Sequence, residues 1–114
     1  MLRMLCLMSC LVTPAGAECR LALVLAVDVS RSIDAQDYVI QTDGLAGALN
    51  DKDVRAAIFG PEGQVALAIY YWSGRGYQDL VQPWVLLDRP EAPSAAGGAA
   101  RRPPPPDAPL ATAL

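Results

Sequence analysis

Leu21-Ala22-Leu23-Val24-Leu25-Ala26-Val27-Asp28-Val29-Ser30-Arg31-Ser32 decides how the rest of this chain reads. Residues 21–27 are uncharged and apolar, and the run ends on an aspartate. A stretch that apolar, and only a strand in length, predicts a β-strand buried on both faces of a parallel sheet. Asp28 then stands at the strand's carboxyl end, where open α/β sheets gather their ligands. With Ser30 and Ser32 it forms Asp-x-Ser-x-Ser. Three hard oxygen donors on one loop suit Mg²⁺, Ca²⁺ or Mn²⁺ better than a metal that seeks sulfur or imidazole. The bland alternative is a strand end followed by an Asx or serine helix cap.

Downstream, Asp34 is a good helix N-cap and Ser32 an alternative one. From Ala35 onward Tyr38, Val39, Thr42, Leu45, Ala46 and Leu49 recur at helical spacing, which sets one face toward the sheet. Gln36, Asp37, Gln41 and Asp43 fall on the other face. Gly44 and Gly47 each cost such a helix about 1 kcal/mol against alanine; close contact with the sheet offers a reason for them. Residues 50–58 predict a second, short helix, capped by Asn50 and stopped by Gly60-Pro61.

Residues 65–72 are another continuous apolar run and predict a second buried strand. Ser73-Gly74-Arg75-Gly76 reads as a plain turn rather than a phosphate cradle, because it opens no helix. Leu80 to Leu87 predicts a third strand, which Pro83 confines to a sheet edge. The short turn makes strands two and three an antiparallel hairpin. Tyr70, Tyr71 and Trp72 read as packing residues, and Trp84 beside Pro83 as a candidate interaction point.

A chain of 114 residues is one small domain at most. A net charge of −3, with no basic cluster before residue 101, argues against a nucleic-acid partner. The absence of histidine removes imidazole acid–base chemistry and most zinc or copper sites. Arg3, the apolar Leu5–Val12 and the small residues Ala15-Gly16-Ala17 predict a signal peptide over residues 1–17, hence an exported protein, periplasmic or secreted. Leu7-Met8-Ser9-Cys10 is a looser, lipoprotein alternative. No stretch is long and apolar enough to span a membrane. Removal of residues 1–17 would leave Cys19 as the one cysteine, an odd thiol in an oxidising compartment.

From residue 89 the composition shifts. Residues 89–114 hold seven of the ten prolines and almost no large apolar side chain, which predicts a disordered or polyproline-like tail. A proline-rich ligand for an SH3-like domain is the interaction alternative there.

Asp-x-Ser-x-Ser after a buried first strand, followed by an amphipathic helix, resembles the von Willebrand factor A domain. Residues 19–33, Ala56-Ala57-Ile58-Phe59-Gly60 and Val65 to Gly74 resemble more closely a bacterial family of exported von Willebrand A-like proteins of unknown function. The resemblance covers about residues 19–87. It implies a Rossmann-type doubly wound α/β sheet and a metal-ion-dependent adhesion site. In that pattern Asp28, Ser30 and Ser32 supply the first-loop ligands, and a partner's carboxylate completes the sphere. A second loop supplies a threonine and a third an aspartate. Neither is found before the Pro/Ala-rich segment, and Thr112 has no strand or helix around it. The expectation is therefore the amino-terminal part of such a domain over residues 18–88, with an incomplete site and a tail of foreign character over residues 89–114, of the kind a shifted reading frame gives. In such a part the first strand lacks a neighbour on one side and half its helical cover, which favours aggregation through its edge.

The enzyme alternative is Mg²⁺-dependent phosphoryl transfer with Asp28 as nucleophile, as in haloacid-dehalogenase-like hydrolases. That chemistry needs a second aspartate two residues on, where Ser30 stands, and a later lysine, whereas Lys52 is the sole lysine. No catalytic constellation is visible. The expected role is a non-enzymatic, metal-dependent binding module for a carboxylate-bearing ligand, with a nonfunctional fragment as the structural alternative.

Overall fold

The computed structural model describes residues 18–30 and 33–103. The expected signal segment, Ser32 and residues 104–114 lie outside the described residues. The order is β1 (Cys19–Asp28), α1 (Ala35–Asn50), α2 (Lys52–Phe59), β2 (Gln64–Ser73), β3 (Tyr77–Leu86) and α3 (Ala92–Ala100). The three strands form one mixed sheet in the order β1-β2-β3. β1 and β2 are parallel, from Leu21 opposite Val65 to Asp28 opposite Trp72. The α1–α2 crossover makes this a β-α-β unit of the Rossmann-like α/β class. β2 and β3 form the antiparallel hairpin, turning at Gly74 with φ +60°.

Side-chain alternation places Val65, Leu67, Ile69 and Tyr71 of β2 on one face, all buried. Leu23, Leu25 and Val27 of β1 join them, and Leu49, Ile58, Ala92, Ala96 and Ala100 close the core from the helices. The other face carries Val24, 48% exposed, and Leu80, 55% exposed. β1 is therefore not buried on both faces as its composition predicts. It is an edge strand, and the described helices cover only one side of the sheet. Only the central β2 is buried on both faces, with Ala68 also enclosed.

Local signals account for most boundaries. Asp34 caps α1 by accepting from the Asp37 amide at 2.8 Å. Asp51, not Asn50, caps α2, accepting from the amides of Asp53 (2.8 Å) and Val54 (3.2 Å). Asn50 instead ends α1 and donates to the Ala46 carbonyl. The Arg20 guanidinium donates to the Ala57 and Ile58 carbonyls at 2.8 and 2.9 Å, placing a cation at the negative end of α2. Pro83 does sit on an edge strand, at a bulge where it and Trp84 face Ala68. Two readings of α1 are corrected. Val39 faces solvent, and a Cβ at Gly44 or Gly47 would meet open space, so neither glycine serves a close contact.

The largest correction concerns residues 89–103. The segment expected to lack regular structure contains α3, which packs along α1 and over the sheet. Its buried face is Ala92, Pro93, Ala96, Gly97 and Ala100. Small side chains bury surface here because the helices approach closely: a Cβ at Gly97 would stand 3.0 Å from the Ala46 Cα. Pro93 sits in the first turn, where a missing N–H is harmless. The Arg55 guanidinium donates to the Pro90 carbonyl at 2.7 Å, and Ser94 hydrogen-bonds Asn50.

Candidate functional site

The carboxyl edge of the parallel pair is built from the end of β1 and the start of α1. The Val29 amide donates to the Trp72 carbonyl at 3.0 Å, carrying the ladder one residue past Asp28. The Asp28 carbonyl turns the other way and accepts from the Gln41 side-chain amide at 3.0 Å. The Asp28 carboxylate folds over the loop, with Oδ1 accepting from the Ser30 amide at 2.8 Å. The Ser30 carbonyl then accepts from the Ile33 amide at 2.9 Å, and Asp34 opens α1. Ser30 is buried, as is Ser73 at the end of β2. A cleft of about 450 Å³ runs from Asp28 beside β1, lined by Val24 to Asp28, Gln41, Leu45 and Trp72.

Of the three residues singled out by sequence, the structure brings Asp28 and Ser30 together; Ser32 lies outside the described residues. The Asx turn expected as the bland alternative is present. It leaves Asp28 with acceptor capacity, because a carboxylate has two oxygens and several lone pairs. Among the described residues no three of His, Cys, Asp and Glu cluster together. Among the described residues of this loop the side-chain oxygens are the Asp28 carboxylate and the Ser30 hydroxyl, hard donors that fit Mg²⁺, Mn²⁺ or Ca²⁺ in kind. The amino-terminal end of α1 adds a positive end beside the loop.

Gln41 escaped the sequence reading, which placed it toward solvent. The stripe Tyr38, Gln41, Thr42, Leu45 at helical spacing was the available signal. A tyrosine pair was also missed. The rings of Tyr38 and Tyr71 meet edge to face at 6.1 Å, with hydroxyls 2.7 Å apart. Their two protons are shared between this contact and the Ala100 and Arg102 carbonyls at the end of α3. Burial pushes both phenols above the ordinary 10.0, and for Tyr71 the bond to Tyr38 adds to the rise. Arg102 pairs with Asp79, and Arg101 with Asp43 at 2.7 Å, both largely exposed and so of small worth.

Tyr71→Phe is expected to lower stability by about 1–3 kcal/mol, since it strips the buried Ala100 carbonyl of its tyrosine donor and the Tyr38 hydroxyl of its partner. The sign of the pH effect follows from the raised folded values. The unfolded chain loses its phenolic protons first, so stability contributed by the pair is complete below pH 10 and falls as pH rises beyond it. Urea titrations between pH 8 and 11 check this: the wild-type decline should flatten in Tyr71→Phe.

The fold and this edge define a class, an α/β domain with a parallel β-α-β unit and an aspartate and serine at the carboxyl end of its first strand. The chain belongs to the family described as "Protein of unknown function (DUF1194)", whose model matches residues 18–114. The match extends past the 19–87 span of the resemblance and includes α3. No curated protein and no solved structure matches.

Proposed function

We propose that this chain is an exported, divalent-cation-dependent binding module of the von Willebrand factor A type, and not an enzyme. The observation that carries the reading is the position of Asp28, at the carboxyl end of a parallel strand and folded onto the Ser30 amide. Asp28, Ser30 and Ser32 would hold the ion as first-loop ligands. Bound there, Mg²⁺, Mn²⁺ or Ca²⁺ would supply a positive charge open to the carboxylate of a protein or other acidic partner. The chain's own part is to orient: Gln41 fixes the Asp28 carbonyl and the Ser30 amide fixes the carboxylate. Export rests on the signal-like residues 1–17.

Calorimetric titration of the purified chain with Mg²⁺ and Mn²⁺ tests the reading. Asp28→Asn and Ser30→Ala should each weaken binding at least about tenfold, the range seen when support of a metal ligand is lost. Circular dichroism confirms that both variants are folded. Equal heats for the wild type and both variants would remove the ion site. Mg²⁺-dependent phosphatase activity that disappears in Asp28→Asn would replace it with the hydrolase alternative.

A further inference from the structure

Given an ion at Asp28, the reading on which this step rests, we propose that Tyr38 and Tyr71 are positioning residues for the ion loop, and that cation binding and docking of the carboxyl end of α3 reinforce each other. α3 runs antiparallel along α1. Ser94 hydrogen-bonds Asn50, Gly97 lies against Ala46, Arg101 pairs with Asp43, and the Arg102 carbonyl accepts from the Tyr38 hydroxyl. That order delivers the end of α3 to the carboxyl edge of the parallel pair. Tyr71 stands opposite Val27, one residue before the Asp28–Trp72 pair. Asp79, which holds the Arg102 guanidinium, is the neighbour of Tyr71 on β3. Residues 100–102 therefore reach the same edge of the sheet as the loop that carries Asp28 and Ser30.

Tyr38 ties the two together, because it lies between the two points at which α1 holds the loop. Its amide donates to the Asp34 carbonyl at 2.9 Å, in the turn that follows Ser30 and Ile33. One turn on, Gln41 donates to the Asp28 carbonyl at 3.0 Å. The Tyr38 hydroxyl meets the Tyr71 hydroxyl and the Arg102 carbonyl. Tyr71 is fully buried and donates to the Ala100 and Arg102 carbonyls. The two hydroxyls thus satisfy carbonyls that the end of a helix leaves without an intrahelical partner. The rest of the grip on α3 is slight. Its buried face of Ala92, Pro93, Ala96, Gly97 and Ala100 takes little apolar surface out of water, and both arginine–aspartate pairs lie partly in solvent. A segment held this way opens locally before the domain unfolds. When the end of α3 lifts, the Tyr38 hydroxyl loses Arg102, and the first turn of α1 loses an anchor that fixes the loop. The docked state therefore binds the cation more tightly than the lifted state, and by linkage binding favours docking by the same factor.

Hydrogen exchange of the purified chain, with and without saturating Mg²⁺, tests the coupling. The amides of Arg101 and Arg102 donate to the Gly98 and Ala99 carbonyls. With Mg²⁺ they should exchange at least about fivefold more slowly, the lower end of the usual coupling between two sites. Asp28→Asn should abolish that difference. In calorimetry, Tyr38→Phe and Tyr71→Phe should each weaken Mg²⁺ binding by about fivefold or more, with unchanged circular dichroism. Gly97→Leu, which forces α3 from Ala46, should weaken it too, and Gly98→Leu should not. Unchanged exchange at residues 101 and 102 in a wild type that binds Mg²⁺ overturns the coupling and leaves the ion site standing. Phenylalanine variants that bind Mg²⁺ as tightly as the wild type do the same. The exchange measurement needs the wild type alone, so it decides the matter even where a variant fails to fold. A wild type that takes up no Mg²⁺ removes the ion site and the coupling together.

Discussion

Leu67→Ala is expected to cost about 2–5 kcal/mol, while the same truncation at Leu80 costs less than about 1 kcal/mol. Both leucines lie on one sheet, but Leu67 is fully buried and Leu80 is 55% exposed. Truncation at Leu67 removes transfer energy and leaves a void between β2 and the helices, which close packing cannot refill. At Leu80 little surface leaves water in the first place. A domain of this size is stable by only about 5–15 kcal/mol, so Leu67→Ala should remove a large share of the total. Urea denaturation followed by far-ultraviolet circular dichroism measures the pair. Equal losses would show that the second face of the sheet is covered in solution.

The second large effect is at Gly97. A side chain there enters the contact between α3 and α1, where a Cβ alone would come within 3.0 Å of backbone. Gly97→Leu is expected to cost about 1–3 kcal/mol by overpacking, and to raise the protease sensitivity of residues 92–103 as α3 lifts. Gly98, one position on, meets nothing within 4 Å. Gly98→Leu should stabilise α3 by about 0.5–1 kcal/mol through helix propensity alone. Limited proteolysis of the two variants beside wild type, with thermal melts, separates them. Matching behaviour at 97 and 98 would contradict the packing of α3 along α1.

These two experiments mark where the amino-acid sequence is transparent and where it is not. β1, the first crossover helix and the hairpin were legible because each is written in local terms: an apolar run, Asp34 before a helical repeat, a glycine turn. The one-sided cover of β1 was not legible, since an edge strand and a central parallel strand carry the same residues. α3 was missed for another reason. The rule that a core needs large apolar side chains fails where Gly97 and Ala46 let two backbones meet, and alanines are then fully enclosed. At the site, Asp28 and Ser30 were found by pattern. Gln41 was not, because a glutamine toward solvent and one on a strand-end carbonyl look alike until the register of α1 against β1 is known.

The sheet order carries one further consequence. β2 is the middle strand, yet β1 leaves the ribosome first. Its sole described partner follows only after both crossover helices have emerged. For that interval the seven apolar residues of β1 have no ladder to join, whereas β2 and β3 can zip within microseconds of appearing. Assembly is therefore expected to start at the hairpin and to recruit β1 backwards along the chain. Anything that delays translation between Asp28 and Gln64 lengthens the time that this strand spends exposed, and so raises the demand for a holding chaperone.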